Sequence, residues 1–463
     1  MNKINSFLIE KNHLFLLFFI VLLIFKPSPG YLIGSWVGQG IILGIIFLTT
    51  CYSIWLLSQN KKTLSYKKDP VTIFTGLTAF SIIISVIFGS IFFPVYTSLT
   101  DMIELYRIFL YFSFYVIAKE TLNLEWTGIV KTGIIIIFII EIFGVLQFYN
   151  IGNINYNIGL LYTTSDKLLM MITHQQRIGS TFLNPNIYGS FIVIAISFLL
   201  SLLAYNYRVK SIILYPLLLL TIVSVFFTTS RTAVITIFGL IVYWIIVSLL
   251  SRVDKLSSIL RKSATVIGLF IIAAIILIPN INYLNYAYNQ ISTNLNIDLS
   301  FLQNDNQMDE NDESDDRNFR DSITDSVESV SSYKSRQYYW DLNWNQFLAA
   351  PVFGSGPMKS EFVRFADNSY LYTLARYGVF GLIVVAGFYL YLYLSTAWSI
   401  KKNVQSPIGS KVMTMTLHLS VMGYFVMALV AEVWYNIQTI AILYIIVGLL
   451  RNKHLQQSKE TKN

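Results

Sequence analysis

One cysteine, four histidines and a charged fraction of 13% define what this 463-residue chain does without. The lone Cys51 excludes an intramolecular disulfide and any cysteine metal site. His13, His174, His418 and His454 are scattered, with no ligand spacing between them. So few charges exclude an ordinary soluble surface, on which about a quarter of residues are charged. The net charge of +8 does not form a basic face either; Lys and Arg sit in short stretches between apolar segments, so nucleic acid is not an expected partner. Internal repeats of the kind carried by many transporters are also lacking. After Phe7–Phe25, the stretch Lys26-Pro-Ser-Pro-Gly30 lacks a small-x-small cleavage site, so the first apolar run reads as a retained span.

What remains is apolar. Residues of the hydrophobic set make up 55% of the chain, in runs repeatedly long enough to cross a hydrocarbon core, which takes roughly 20 helical residues. The expectation is an all-α polytopic membrane protein with about 12 transmembrane helices between Phe7 and Leu450. Four regions follow: 1–176 with N-terminal helices, 177–278 with central helices, 279–376 as one large loop, and 377–463 with C-terminal helices and a tail. Lys61, Lys62, Lys67 and Lys68, then Lys119, then Arg208 and Lys210, then Arg252, Lys255, Arg261 and Lys262 occupy alternate loops. Lys401, Lys402, Lys411 and Arg451 continue the series. The positive-inside bias thus expects both termini in the cytoplasm and the long loop outside the cell membrane.

That loop is uneven. Residues 303–330 are dense in Asp, Glu, Asn and Ser and read as a solvated, disordered insertion. Ser332 to Leu348 instead places Tyr333, Arg336, Trp340, Trp344 and Phe347 at helical spacing, which predicts an amphipathic helix at the outer interface. Polar residues from distant places share this outer side: Arg177, Asn186, Arg231, Arg336, Lys359, Glu361, Arg364, Asp367, Asn368, Arg376 and Glu432. An arginine fork binds phosphate bidentately and keeps its charge. The plainer reading of a single arginine such as Arg231 is a snorkelling anchor, and Arg107 and Arg320 read as surface residues. Asp367 reads as a general base or as a helix cap; Gly354 and Gly356 read as a tight turn. Glu141 and His418 are ionisable groups inside spans, His418 expected to be packed or hydrogen-bonded and Glu141 without an evident partner.

Three stretches carry a resemblance: Arg177-Ile-Gly-Ser-Thr-Phe-Leu-Asn-Pro-Asn186, Thr229-Ser-Arg-Thr-Ala233, and the run from Arg336 and Trp340 through Pro351-Val-Phe-Gly-Ser-Gly356 to Asn368-Ser-Tyr-Leu371 and Tyr377-Gly-Val-Phe-Gly-Leu382. In order and spacing they resemble the O-antigen polymerase and O-antigen ligase family of bacterial envelope glycosyltransferases. The resemblance implies a GT-C-like fold and metal-independent transfer of glycan from an undecaprenyl-diphosphate carrier, with no cofactor. Its partners would be the lipid-linked donor and acceptor, the bilayer, a flippase and a chain-length regulator. By matching position, Arg177, Arg231 and Arg336 would hold the diphosphate; Arg364, Arg376, Asn186 and Asn368 are further binding candidates. Asp367 is the first candidate base, ahead of Glu432 and Glu361. The ligase branch typically has His-Asn before the Tyr-Leu segment, where this chain has Asp367-Asn368, which favours a polymerase of capsular or related polysaccharide. A ligase passing finished polymer to a lipid or wall acceptor is the alternative, and a flippase a more distant one.

Overall fold

In the computed structural model the described residues are 12–457, apart from 28, 61–65, 164–168, 171, 174–176, 183, 279–335, 359–365 and 403–405. The expected acidic insertion, His174, Arg320, Glu361 and Arg364 therefore lie outside the described residues. Among the described residues the regular structure is helical, without strands. In chain order the helices are α1 (Asn12–Phe25), α2 (Gly30–Ile33), α3 (Ser35–Asn60), α4 (Pro70–Phe92), α5 (Leu105–Glu120) and α6 (Trp126–Phe148). Next come α7 (Ile154–Tyr162), α8 (Pro185–Ala204), α9 (Ser211–Phe227), α10 (Arg231–Leu250) and α11 (Leu256–Leu277). Residues 336–349 form α12, followed by α13 (Ser369–Lys401), α14 (Ile408–Met427), α15 (Ile437–Leu450) and α16 (Lys453–Gln457).

Among the described residues, seven helices are long and apolar enough to cross a membrane: α3, α4, α6, α8, α10, α11 and α13. The apolar helices α1, α9 and α15 are shorter.

The centre of the bundle is α8, apolar on all sides and buried along nearly its whole length, as a helix without a polar face must be. It packs against α9, α10 and α14. Small residues let these helices close in: a Cβ on Gly423 would run into Val193 and Leu240, and one on Gly189 into Ala233. The serines of α8 cost little, because Ser190, Ser197 and Ser201 each donate to a carbonyl of their own helix. Around this core, α5 packs on α15 and α3, and α13 on α4 and α14.

The two polar groups that sequence places inside spans are both engaged. Tyr188 donates to the Glu141 carboxylate at 2.6 Å, giving that acid the partner sequence could not show. His418 meets the Tyr243 hydroxyl at 2.7 Å and the Thr396 hydroxyl at 3.1 Å. Two boundaries differ from expectation. The stretch after α6 contains the unforeseen α7, and α13 starts at Ser369 rather than Tyr377. Gly378 explains the second difference: its φ of 66° and ψ of −170° kink α13 where the apolar run begins.

Candidate functional site: a cluster of arginines and one aspartate

The caps of α8 and α10 bring the first two motifs together. Asn184 accepts the N–H groups of Asn186 and Ile187, with Pro185 at the first helical position, and so starts α8. Ser230 starts α10 by accepting from Ala233. The Ser230 hydroxyl donates to Asn186 Oδ1 at 3.0 Å, fastening one N-terminus to the other. Two helix N-termini thus meet, each presenting the positive end of its dipole.

Arg177 lies over this corner. Its Nε donates to Thr229 Oγ1 at 2.8 Å, and Thr229 occupies the left-handed region at φ 51°, unusual for a β-branched residue. Partial burial and the like charge of Arg336 push Arg177 below the ordinary arginine value. Arg231, two residues past Thr229, begins α10 and is exposed.

The third motif supplies the other wall. Residues 336–349 are helical as expected, and Trp340 and Phe347 are partly covered while Tyr338, Trp344 and Leu348 are exposed. After this helix the chain turns through Ala350–Met358 and lies along the kink of α13. Val379 and Phe380 donate to the carbonyls of Pro351 and Val352, and Ser355 and Gly356 donate to those of Ala375 and Arg376. Gly354 and Gly356 have φ values of 71° and 91°, and a Cβ on Gly354 would collide with the Arg376 backbone. The glycines are therefore a tight turn, and the Pro351–Gly356 and Tyr377–Leu382 stretches are two halves of one packing unit.

Asp367 ends the loop in the left-handed region at φ 45°. It does not cap α13. Asn368 does, accepting from Tyr370 and Leu371 and donating to the Leu429 carbonyl at 2.9 Å. The Asp367 carboxylate is left facing Arg336, with Oδ2 3.8 Å from Nε; the two side chains are 41% and 36% exposed. Burial pushes Asp367 above its ordinary value and the Arg336 charge opposes that.

Two residues expected to act directly are turned to other tasks. Glu432 accepts the backbone N–H of Ala366, and burial pushes its carboxyl up, opposed by that bond and by Arg376. Arg376, expected among the phosphate-holding arginines, points inward at 3% exposure. It donates to the Pro357 carbonyl and lies 3.8 Å over the Tyr372 ring. Arg107 is no simple surface residue: it pairs with Glu104 at 3.4 Å and donates to the Tyr435 carbonyl. Sequence reading missed the Glu104–Arg107 pair, although their i, i+3 spacing was a visible signal.

Arg177, Arg336 and Asp367 thus form one cluster, with Asn186 and Asn368 fastening the helix starts around it and Glu432 bonded to the neighbouring Ala366. The cluster sets guanidinium groups beside a carboxylate.

No curated protein matches the chain. Residues 216–386, less than half of its length, match the family described as O-Antigen ligase. That segment contains Arg231, Arg336, the Pro351–Gly356 turn, Asp367 and the α13 kink, and leaves out Arg177 and Glu432. Over residues 216–386 the chain is similar to the O-antigen ligase family, whose members are glycosyltransferase-like enzymes.

Proposed function

We propose that the protein is a polysaccharide polymerase that joins undecaprenyl-diphosphate-linked repeat units into capsular or related surface polysaccharide. It works at the outer face of the cytoplasmic membrane, with about 12 spans, a GT-C-like arrangement and both termini inside. The acceptor hydroxyl attacks the anomeric carbon at the reducing end of the growing chain; the glycosidic bond forms as the bond to the carrier diphosphate breaks. Asp367 takes the hydroxyl proton. Arg177, Arg231 and Arg336 neutralise the charge that develops on the departing diphosphate, so no metal is required of the site. Glu432 and Arg376 hold the loop on which Asp367 sits, and a flippase and a chain-length regulator are the partners this role calls for.

The observation that carries this reading is the Arg336–Asp367 pair with Arg177 alongside: a base of raised pKa placed among cations. A ligase is the second reading, favoured by the family description; Asp367 in place of the ligase histidine argues against it. The test is Asp367→Asn and Arg231→Ala in cells, with glycan size and lipid-linked intermediates measured. Single repeat units accumulating outside support a polymerase. Finished chains left on the carrier indicate a ligase, and units trapped inside a flippase. Unchanged polymer in both variants removes the proposed site.

A further inference from the structure

The half of the bundle away from Asp367 contains an apolar slot that the proposed reaction does not use. It measures about 330 Å³ and lies between α1 and α6, floored by α8, α14 and α15. The floor includes Met413 near the start of α14 and Leu449 near the end of α15. The Asp367 turn meets Leu429 and Glu432, at the opposite ends of those helices. The walls stand apart because their packing partners differ: α1 lies on α3 and α15, and α6 on α9 and α14. Leu16, Ile20 and Ile24 line the slot from α1, and Ile129, Thr132 and Ile136 from α6. Steps of three and four residues mean that each helix turns one continuous face to it. At Gly128, on the α6 wall, a Cβ would meet nothing within reach.

Polarity is distributed unevenly along the slot. Its imidazole, amide and carboxylate groups gather at one end, as His13 on α1 and Asn123 and Glu125 just before α6. The rest of the lining is apolar apart from two threonines, of which Thr416 spends its hydroxyl on the Val412 carbonyl of its own helix. At the polar end, His13 Nδ1 is shut off from solvent and has no hydrogen-bond partner among the described residues. The depth is also definite. At the α-helical rise, Gly128 to Ile137 covers about 14 Å and His13 to Ile24 about 17 Å. One leaflet of a bilayer is about 15 Å of hydrocarbon.

We propose that the slot holds one acyl chain of a membrane phospholipid, with the ester and headgroup at the His13 end. An apolar cavity offers water no partners and stays dry, and leaving it empty forfeits packing along every wall. Among helices that cross a membrane, lipid hydrocarbon is the filling at hand. Depth and polarity then select the occupant. A slot as deep as one leaflet, polar only at one end, fits a single chain that enters from that leaflet with its head at the surface. His13 Nδ1 gains the ester or headgroup oxygen that the protein does not supply. A carrier lipid whose diphosphate lies at Arg336 has its head at the other end of the bundle. The inference rests on these helices crossing a bilayer and is independent of the proposed reaction.

The test places the full-length protein in vesicles of phosphatidylethanolamine and phosphatidylglycerol, with a phosphatidylglycerol carrying a diazirine at mid-chain as probe. After illumination, labelled residues are read by peptide mass spectrometry. Label at Ile20, Ile129 and Ile136 should saturate as the probe fraction rises. At Ile271 and Ile272, half-exposed on α11, it should rise in proportion. Gly128→Phe fills the slot and should lose the label there while keeping it on α11; Thr132→Phe does the same and serves if Gly128→Phe does not fold. Gly239→Phe, on α10 where a Cβ also meets nothing, should label as the parent does. Slot label that fails to saturate and survives both fillings is ordinary boundary lipid and overturns the proposal. So does a slot that stays unlabelled because two copies pack there, seen as a dimer by native mass spectrometry. Displacement of the label by undecaprenyl phosphate, but not by unlabelled phosphatidylglycerol, overturns the acyl-chain assignment.

Discussion

Arg336 and Asp367 form an ion pair, Nε to Oδ2 at 3.8 Å, although thirty residues of chain lie between them. Both are more than a third exposed, so the pair adds little to stability. Its interest is chemical: in the proposed reaction the cation would meet the departing phosphate, and the carboxylate would take the proton of the attacking hydroxyl.

Asp367→Asn is the cleanest probe of that role. Asparagine tolerates the left-handed φ of 45° that Asp367 adopts, so the backbone survives and only the charge is lost. Polymer formation should fall on the order of a hundred- to ten-thousand-fold, with membrane abundance unchanged. Parental polymer length on a gel would dismiss Asp367 as the base.

Arg336→Gln tests the coupling through pH. Burial raises Asp367 and Arg336 opposes this. The base works deprotonated, so activity falls as pH drops through its pKa, which lies above the ordinary 3.8. Removing Arg336 removes the opposing charge, and the acid limb of kcat/KM must move to higher pH. Lower activity at every pH with an unmoved limb would mean that Arg336 contacts substrate without tuning Asp367.

Glu432 separates into base or brace by two substitutions. Glutamine retains an oxygen for the Ala366 N–H; alanine leaves that donor unsatisfied, at about 1–3 kcal/mol. Glu432→Gln should therefore polymerise at close to the parental rate, and Glu432→Ala should lose both activity and thermal midpoint. If the glutamine variant were as inactive as the alanine one, Glu432 would be the proton acceptor.

The outcome at Glu432 and Arg376 shows where sequence legibility ended. Helical spans and the tight Gly354–Gly356 turn were readable, because apolar run length and glycine are local signals. What side chains on a loop do with their charge is not local. Arg376 is eight residues along α13 from Asn368, but whether it faces outward depends on the Gly378 kink and on the Pro357 carbonyl laid against it. Asp367 and Asn368 are neighbours of equal capping ability, and only the backbone turn assigns the cap to Asn368. Capping residues were visible in the motifs as Asn184-Pro185 and Ser230; that their two helices start side by side was not.

Gly354→Ala tests that loop-on-kink packing. The residue has φ 71°, and a Cβ would strike the Arg376 carbonyl. With strain and overlap together, the cost should reach on the order of 3 kcal/mol or more. Little folded protein should be recovered from membranes, in contrast to Gly152→Ala. Gly152 also has a positive φ, of 64°, but nothing stands within reach of its Cβ. Similar recovery of the two would show that the contact with α13 is dispensable.

Thr229 offers the sharpest separation of stability from function. A β-branched residue at φ 51° is strained, and glycine relieves that strain at a cost in unfolded-state entropy of under about 1 kcal/mol. The same substitution deletes the oxygen that accepts from Arg177 Nε at 2.8 Å. Thr229→Gly should thus hold or raise the thermal midpoint while activity falls, with the loss appearing in KM for the lipid-linked donor as Arg177 loses its orientation. Thr229→Ser retains the hydroxyl and should retain activity. A fully active Thr229→Gly would show that the strained turn does not orient Arg177, and would remove that arginine's bond to Thr229 from the site.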